Sequence, residues 1–480
     1  MEHIKRKYSY FHNEDLLSQL LIFITVLSWF AFPLILKPFG PSLYNWSVSV
    51  SVAVAVAVGL VWSAFLWKRN VLDLQPLHKV LLLSWLAYLL ALLLSTLESA
   101  SAYSLTQWAL LTVKFLFFVF LILYLKPQFI FTTFRLYSNL MTTTVVLAFV
   151  AVCCVIMGIH PLAMMDVGGR ETEVYFGSYY TLNTSIFMPH SIYRIQGLSE
   201  EPGTYAFALL PAFFWLLIVE KAYIRTAIIV LGLMFSMSLG AGILLLLLLP
   251  FMLRKYFKED LKIPVFIFSA VCAIGLMYVV SGAWLENYMQ QVDDSVIIKM
   301  SQVDMKEGGV DKVASKTLLK KSLSVSPSGK ISSLQDRIDG SYVALNYLKN
   351  HLTGTGAALG MSTVNNSISV GYVVAILEAG IVGGLFYICL FAIMAWLALS
   401  MFINSNDNSI ESRVRHAVSL SICTVLFMGA QRIQPDLSFW HMWIYASLFY
   451  LTSSSNNFDQ MEFSSSEEKQ TETEQSSLAY

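Results

Sequence analysis

Long apolar runs recur from the first fifty residues of the chain to the last fifty, and short polar segments separate them. A helix needs about 20 mainly apolar residues to cross a bilayer. The pattern therefore predicts an all-α polytopic membrane protein with about twelve transmembrane helices. The predicted spans are 16–36, 45–67, 80–97, 108–125, 138–159, 204–219, 226–239, 240–253, 263–282, 369–402, 414–430 and 437–453.

The segment 226–253 is short for two spans, and the sequence SMSLGAG within it predicts a tight turn or a broken helix. Composition supports the membrane class. Of the 480 residues, 56% are hydrophobic and 13% are charged, whereas about a quarter of the residues in soluble domains are charged. The net charge is zero, so we expect no nucleic-acid partner.

Lysines and arginines concentrate in the segments that follow even-numbered spans, such as Lys68 and Arg69 after the second and Lys221 and Arg225 after the sixth. The positive-inside rule then places both termini in the cytoplasm. The expected units are a cytoplasmic N-terminus (1–15), spans one to five (16–159), an external loop (160–203), spans six to nine (204–282), a large external loop (283–368), spans ten to twelve (369–453) and a disordered cytoplasmic tail (454–480).

The large loop 283–368 is rich in lysine, which the positive-inside rule tolerates in long translocated loops. Its segment VDKVASKTLLKKSLS has apolar residues at helical spacing and a basic face. This segment is either a helix on the membrane surface, in contact with membrane lipids, or a solvated loop helix. The loop between the ninth and tenth spans is therefore predicted to be partly helical.

The stretch YRIQGLSEEPGTYA places Arg194, Glu200 and Glu201 directly before the sixth span, on the external side. Pro202 suits the first turn of a helix, and acidic groups beside a helix N-terminus gain about 0.3–1 kcal/mol from its dipole. The glutamates have this structural explanation. Arg194 does not, because a helix N-terminus repels a cation. The anion that pairs with Arg194 is either one of the two glutamates or a ligand.

A second polar cluster, DRIDGSYVALNYLKNHLTGTGAALG, closes the large loop. Arg337 heads a predicted helix with Tyr342, Leu345 and Leu348 on one face, and HLTGTG predicts a turn after it. His351, at the start of that turn, is either a general base or a polar turn residue.

Glu378 lies within the apolar run SVGYVVAILEAGIVGG. A carboxylate inside a membrane is costly and is by default a candidate functional residue. The alternative is a structural carboxylate that pairs with Arg432 or caps a helix break at Gly380. Both interpretations stay open at this point.

Two external arginines far apart in sequence indicate an anionic ligand, because arginine binds phosphate bidentately and keeps its charge. The sequence contains no Walker-type loop, no HExxH motif and no clear metal spacing among its eight histidines. We therefore expect neither ATP, nor a protein-bound metal, nor another cofactor. The candidate substrate-binding residues are Arg170, Tyr193, Gly197, Tyr342, Glu378 and Arg432.

The two motifs resemble a known family. RIQGLSEEPGTYA is similar to the Arg-x-x-Gly-x-x-x-Glu-Pro element of the bacterial O-antigen polymerase and O-antigen ligase superfamily. The later HLTGTG and ILEAGIVGGLFYICLF resemble the second signature of that family, in which an arginine-led loop helix and a Gly-x-Gly turn precede a Glu-x-Gly membrane helix. The span number, cytoplasmic termini and late external loop also resemble this family.

The resemblance implies a metal-independent membrane glycosyltransferase at the periplasmic face of the bacterial inner membrane. Its donor would be a polyprenyl-diphosphate-linked oligosaccharide, and a chain-length regulator protein is a possible partner. Arg194 and Arg337 would neutralise the departing diphosphate, and the base would be Glu200 or Glu201 first and His351 second.

One departure from the family pattern separates the alternatives. Ligases of this family usually carry a His-Asn pair roughly nine residues before the Glu of the membrane helix, whereas this chain has Ser369 about where that histidine would be. The sequence thus favours a polymerase of lipid-linked repeat units over a ligase that transfers glycan to a lipid A core. A lipid-linked oligosaccharide flippase or other transporter, and a cell-wall glycan polymerase, are further alternatives.

Overall fold

The computed structural model describes a largely helical chain. The described residues are 75–125, 127–166, 171–175, 178–182, 193–197, 199, 202–236, 238–256, 260–275, 340–360, 370–405, 409–431 and 439–453. The first two predicted spans, most of the loop 283–368 and the C-terminal tail 454–480 lie outside these residues.

Three long helices joined by short turns open the described chain: α1 is Pro76–Glu98, α2 is Ala102–Tyr124 and α3 is Pro127–Ile156. Proline begins α1 and α3, where its missing N–H costs nothing. The hydroxyl of Ser101 accepts a hydrogen bond from the Ser104 amide at 3.3 Å and caps the start of α2. We call the end of the bundle that holds the α1–α2 turn the sheet end.

A four-stranded antiparallel sheet follows α3, with strands in chain order: β1 Ala163–Asp166, β2 Glu171–Tyr175, β3 Ser178–Leu182 and β4 Tyr193–Gly197. The register of β3 and β4 pairs Thr181 with Arg194 and shifts between Tyr179 and Tyr180. The prediction of a largely helical chain is confirmed, but it did not include this sheet, which lies in the segment 160–203 that was predicted as an external loop. These strands are only four or five residues long, so they give no extended alternating pattern.

The next helices are short. They are α4 Pro202–Phe214, which continues as a π-helical turn at Trp215–Val219, α5 Tyr223–Ser236, α6 Leu239–Tyr256 and α7 Lys262–Gly275. The segment 226–253 therefore belongs to two helices: α5 ends at Ser236 and α6 begins at Leu239, within the sequence SMSLGAG for which a turn or break is predicted. The 14 residues of α5 measure about 21 Å, less than the roughly 30 Å of a bilayer core.

The last described helices are α8 (residues 340–350), α9 Gly371–Asn404, α10 Ile410–Gln431 and α11 Phe439–Ser453. The packed face of α8 differs from the predicted one. Ala344 and Leu348 pack on Val374 and Leu377 of α9, whereas Leu345 is half exposed. The residues that touch are four apart, which matches helical geometry better than the predicted spacing of three.

The helix α9 folds back on itself at Gly380, which has φ 73° and ψ −178°. The ring of Tyr372, eight residues before Gly380, lies 6.1 Å from the ring of Tyr387 and 5.9 Å from that of Phe391. Side chains so far apart along a straight helix would never touch. The first half of α9 therefore runs antiparallel to the start of the second half, with Gly380 at the tip.

Four described helices are long and apolar enough to cross a membrane: Pro76–Glu98, Ala102–Ile122, Phe129–Cys154 and Gly371–Asn404. Because α9 reverses at Gly380, the part of it that is long enough to cross is 381–404. The apolar helices Gly203–Val219, Tyr223–Ser236 and Lys262–Gly275 are shorter. The predicted spans three to nine, eleven and twelve each overlap a described helix, whereas the predicted tenth span, 369–402, covers both halves of the reversed helix α9. The apolar helices support a membrane protein.

Aromatic stacking holds α3, α4 and α11 together in the core. The ring of Tyr137 lies flat on Trp440, with centroids 3.8 Å apart and planes at 7°, and Phe134 stacks on Trp215 at 5.0 Å. The Tyr137 hydroxyl also donates to the carbonyl of Ala208 at 2.7 Å. This bond gives the Ala208 carbonyl a donor from outside α4 and ties α3 to α4.

Polar contacts tie the helices at the end opposite the sheet. The Glu220 carboxylate, just after the π-helical turn, accepts hydrogen bonds from Trp215 Nε1 at 3.0 Å and from Arg225. Arg225 also donates to the side-chain oxygen of Asn139 on α3 at 2.7 Å. The α4–α5 turn is thereby fixed against the first half of α3.

A buried histidine joins three helices at the same end. The ring of His416 on α10 is hydrogen-bonded to the Tyr256 hydroxyl and, through Nε2 at 3.1 Å, to the carbonyl of Ser405 after α9. The Lys255 ammonium of α6 donates to the same carbonyl. This end is thus a polar network that connects α6, α9 and α10.

We predict that the two contributions of Tyr137 can be separated. Tyr137→Phe keeps the stack on Trp440 and loses one buried hydrogen bond, at a cost of about 1 kcal/mol. Tyr137→Ala loses both, at a cost of about 3–5 kcal/mol. Unfolding temperatures of the protein purified in detergent should therefore fall slightly for the first variant and much further for the second. Equal losses would contradict the role of the stack.

Candidate functional site

The Arg-x-x-Gly motif lies in β4, and Gly197 at its end fits against Tyr205 of α4. Gly197 has φ +54°, a conformation that side chains resist. A Cβ added there would overlap the Tyr205 ring. The hydroxyl of Tyr205 is 3.0 Å from the hydroxyl of Thr144 on α3, and both groups are buried. The glycine of the motif thus allows β4 to pack directly on a tyrosine that is anchored in the core.

The Arg-x-x-Gly motif lies beside α3, set back from the end of that helix. Along α4, Tyr205 lies next to Thr144 and Trp215 next to Phe134, so α4 runs antiparallel to α3 and begins well before the end of that helix. The last residues of α5 reach only to Phe149, whose ring is 5.2 Å from Phe235. The remaining turns of α3 extend about 10 Å further. The sheet fills this step, where β4 packs on α3, α4 and α5.

The turn HLTGTG and the tip of α9 form one hydrogen-bonded unit. The amides of Thr355 and Gly356 donate to the carbonyls of Leu377 and Glu378, both at 3.0 Å. In return, the amide of Ile381 donates to the carbonyl of Leu352 at 3.1 Å. Backbone groups that the break removes from helical pairing therefore find partners in the loop. The two parts of the second motif meet here.

Glu378 lies inside this unit. Only 4% of the residue is exposed, and its side chain runs beside Gly360, where a Cβ would lie 3.2 Å from Glu378 Cγ and 3.6 Å from Oε1. Its backbone carbonyl accepts a hydrogen bond from the Ser95 hydroxyl of α1 at 2.7 Å. The helix does break at Gly380. The carbonyls of Leu377 and Glu378 beside the break accept hydrogen bonds from amides of the loop. The proposed pair with Arg432 lies outside the described residues.

His351 occupies the first position of the turn, at the end of α8. Its ring stacks on Tyr347 with centroids 4.1 Å apart and planes at 8°, and its carbonyl accepts from the amide of Gly354 at 3.2 Å. The residue is exposed. This geometry fits the interpretation of His351 as a polar turn residue. The exposed imidazole is also accessible to solvent. Tyr342, on the same helix, is 65% exposed and also faces outward.

Both motif regions contact the same turn of α10. The hydroxyl of Tyr372, in the first half of α9, donates to the carbonyl of Leu426 at 2.9 Å. The ring of the next residue, Phe427, lies 6.1 Å from Phe207 of α4, two residues after Tyr205. Two segments that are more than 150 residues apart in sequence are therefore brought to one place by α10.

Several candidate residues are only partly described. Tyr193 pairs with Leu182 and Arg194 with Thr181 in the backbone of the sheet. The candidates Arg170, Glu200, Glu201, Arg337 and Arg432 lie outside the described residues. Among the described residues, no group of three His, Cys, Asp or Glu side chains is arranged to hold a metal ion.

Sequence reasoning missed the hydroxyl residues at the end of α1. Ser95 and Thr96 are buried, and they contact Glu378 and Ala357, more than 250 residues later. Serine and threonine in an apolar helix normally bond to their own backbone, so the sequence carries no signal for a distant partner.

Comparison with known proteins adds no family assignment. No protein-family model matches this chain, and no curated protein matches it in sequence.

We predict that Gly197→Ala disrupts the packing of β4 on α4. The left-handed conformation costs a side chain about 1–2 kcal/mol, and the overlap with Tyr205 adds to it. The unfolding temperature in detergent should fall by several degrees. Gly203→Ala is the matched control, because a Cβ at Gly203 meets nothing within 4 Å. Equal stability of the two variants would refute the fit between Gly197 and Tyr205.

Gly380→Ala should be worse tolerated than Gly197→Ala. A Cβ at Gly380 would overlap the backbone carbonyls of Leu352 and Thr353, and a backbone cannot rotate away as a ring can. We expect a strong fall in the amount of folded protein in membranes, measured by fluorescence-detected size exclusion. Gly275→Ala, in open space on α7, is the control. Normal folding of Gly380→Ala would show that the loop is not tied to the tip of α9.

Proposed function

We propose that this chain is a polymerase that joins polyprenyl-diphosphate-linked oligosaccharide repeat units into a surface polysaccharide, an O-antigen or a related polymer. It would act at the periplasmic face of the bacterial inner membrane, with both termini in the cytoplasm. The observation that supports the proposal is that the elements next to its two family-like motifs contact one turn of α10. Phe207 of α4, which follows the Gly197 strand, lies against Phe427, and Tyr372 in the half of α9 that leads to Glu378 bonds to Leu426.

The sheet end suits a substrate that is half lipid and half glycan. The described helices on which it is built are apolar, which is compatible with a polyprenyl chain in the surrounding membrane. At this end the buried Glu378 and the Ser95 and Thr96 hydroxyls supply polar groups around the Gly380 turn, and a diphosphate and sugars would lie beside it. A transporter would more often hold its polar site at mid-membrane between repeats.

The proposed reaction needs few groups. A hydroxyl of the acceptor sugar forms a bond to the anomeric carbon of the donor, and the bond from that carbon to the diphosphate oxygen breaks. Arg194 and Arg337 would bind the departing diphosphate and neutralise its charge. The hydroxyl proton would pass to a carboxylate or imidazole, for which Glu200, Glu201 and His351 are the candidates.

Glu378 has a different proposed role. Its side chain is buried beside Gly360 and its carbonyl is part of the turn, so it would orient sugar hydroxyls or fix the turn. We place it in the substrate-binding region together with Tyr342, Tyr193, Gly197, Arg170 and Arg432.

We predict that Arg194→Ala and Arg337→Ala each collapse the polysaccharide ladder to single repeat units attached to their final carrier. Removal of one group that stabilises developing charge typically costs about 100-fold or more in rate. The measurement is gel analysis of the intact glycan at matched membrane levels of each variant. Arg254→Ala, at the exposed last turn of α6 at the opposite end, is the control and should keep the full ladder.

Other outcomes assign the chain differently. Lipid-linked units that accumulate on the external face with nothing attached would indicate a ligase, and accumulation on the cytoplasmic face would indicate a flippase. An unchanged ladder in both arginine variants would remove the two residues from the site.

A further inference from the structure

The tip of α9 depends on groups outside its own helix. At Gly380 the chain reverses, so the carbonyls of Leu377 and Glu378 lose their usual helical partners. The loop supplies amides to both. A carbonyl oxygen can accept two hydrogen bonds, and the second acceptance at Glu378 comes from the Ser95 hydroxyl of α1, at 2.7 Å and fully buried.

A second hydroxyl of α1 holds the other side of the same turn. Thr96 Oγ1 accepts a hydrogen bond from the amide of Ala357 at 3.2 Å. The hydroxyl of Ser104, on α2, also points at Thr96 Oγ1 at 3.4 Å. These residues are nearly or completely inaccessible: 1% of Ser95, 2% of Thr96 and none of Ser104 is exposed. Polar groups so deeply buried need partners, and their partners include the turn.

The turn lies directly on these hydroxyls. A Cβ at Gly356 would be 2.9 Å from Ser104 Oγ, 3.0 Å from Ser99 Oγ and 3.2 Å from Thr96 Cα. No side chain fits between loop and helix. The position of Glu378 relative to α1 is therefore set by hydroxyl contacts to both parts of the unit, the tip of α9 and the loop.

We propose that Ser95 and Thr96 are positioning residues for the polymerase reaction, which hold Glu378 and the Gly354–Gly356 backbone at the place where the glycan is bound. This inference rests on the proposed function. The two hydroxyls do not touch the sugar. They act through the Glu378 carbonyl and the Ala357 amide, so their loss shifts the turn without removing any group that contacts substrate. A misplacement of about 1 Å can lower the rate of a reaction by up to about 100-fold.

The test uses the full-length protein purified and reconstituted in liposomes. The substrate is the polyprenyl-diphosphate-linked repeat unit, extracted from membranes of a strain that lacks this chain. Ser95→Ala and Thr96→Val each remove one hydroxyl, Thr96→Ser keeps it and removes only a methyl group, and Thr106→Val is the control. Thr106 belongs to the same helical hairpin, but its hydroxyl is exposed and bonds only to Ala102 of its own helix.

We expect kcat to fall about 10-fold or more in Ser95→Ala and Thr96→Val, while KM changes by less than about twofold. Thr96→Ser and Thr106→Val should keep wild-type kcat. Because part of the effect of Ser95 passes through the position of the Glu378 side chain, Ser95→Ala should slow Glu378→Gln by a smaller factor than it slows the wild type. Independent effects would instead multiply.

The outcomes separate the two proposals. If wild type polymerises the unit and Ser95→Ala and Thr96→Val do so at the same kcat, the positioning role is wrong and the proposed function stands. If kcat falls only together with the unfolding temperature, and Thr96→Ser does not restore it, the hydroxyls are structural and the inference is also wrong. If wild type makes no polymer from the unit, the proposed function is wrong, and the inference that rests on it is wrong as well.

Discussion

The chain reversal at Gly380 depends on partners outside the helix for the backbone groups that it frees at Leu377, Glu378 and Ile381. In apolar surroundings an unpaired amide or carbonyl costs several kcal/mol, so a helix cannot simply stop and turn. Here the loop after α8 supplies amides to Leu377 and Glu378 and accepts from Ile381. Ser95 adds a donor from α1. The buried carboxylate, the glycine turn and the first two described helices are therefore one structural unit.

A second constraint operates on the other side of α10, where the short helices α4 and α5 leave a step beside α3. A small sheet fills this step and brings the Arg194 strand against Tyr205, which is tied to Thr144. The two arrangements differ in chemistry. The Gly380 turn relies on backbone hydrogen bonds, whereas the sheet relies on a glycine that fits against an aromatic ring. The helical segments next to them, the first half of α9 and α4, both contact α10 at Leu426–Phe427.

The sequence predicts much of the helical layout, because apolar runs of the required length are an unambiguous signal. It also locates the break at Gly380 and the turn at Gly354–Gly356, where glycines interrupt apolar or helical patterns. It does not predict the fold-back of α9, since 369–402 is apolar on both sides of Glu378 and is long enough for one span. The sheet was missed because its strands are short. The roles of Ser95 and Thr96 depend on tertiary contacts over more than 250 residues, for which local pattern contains no information.

Those sequence separations have a consequence for biosynthesis. Ser95 leaves the ribosome 283 residues before its partner Glu378, so the α1–α2 hairpin enters the membrane long before the loop and α9 exist. During this interval its hydroxyls can bond back to their own helix, as serine and threonine do in apolar helices. The contacts that Ser95 and Thr96 make with the turn therefore form only after Ala357 and Glu378 have been synthesised.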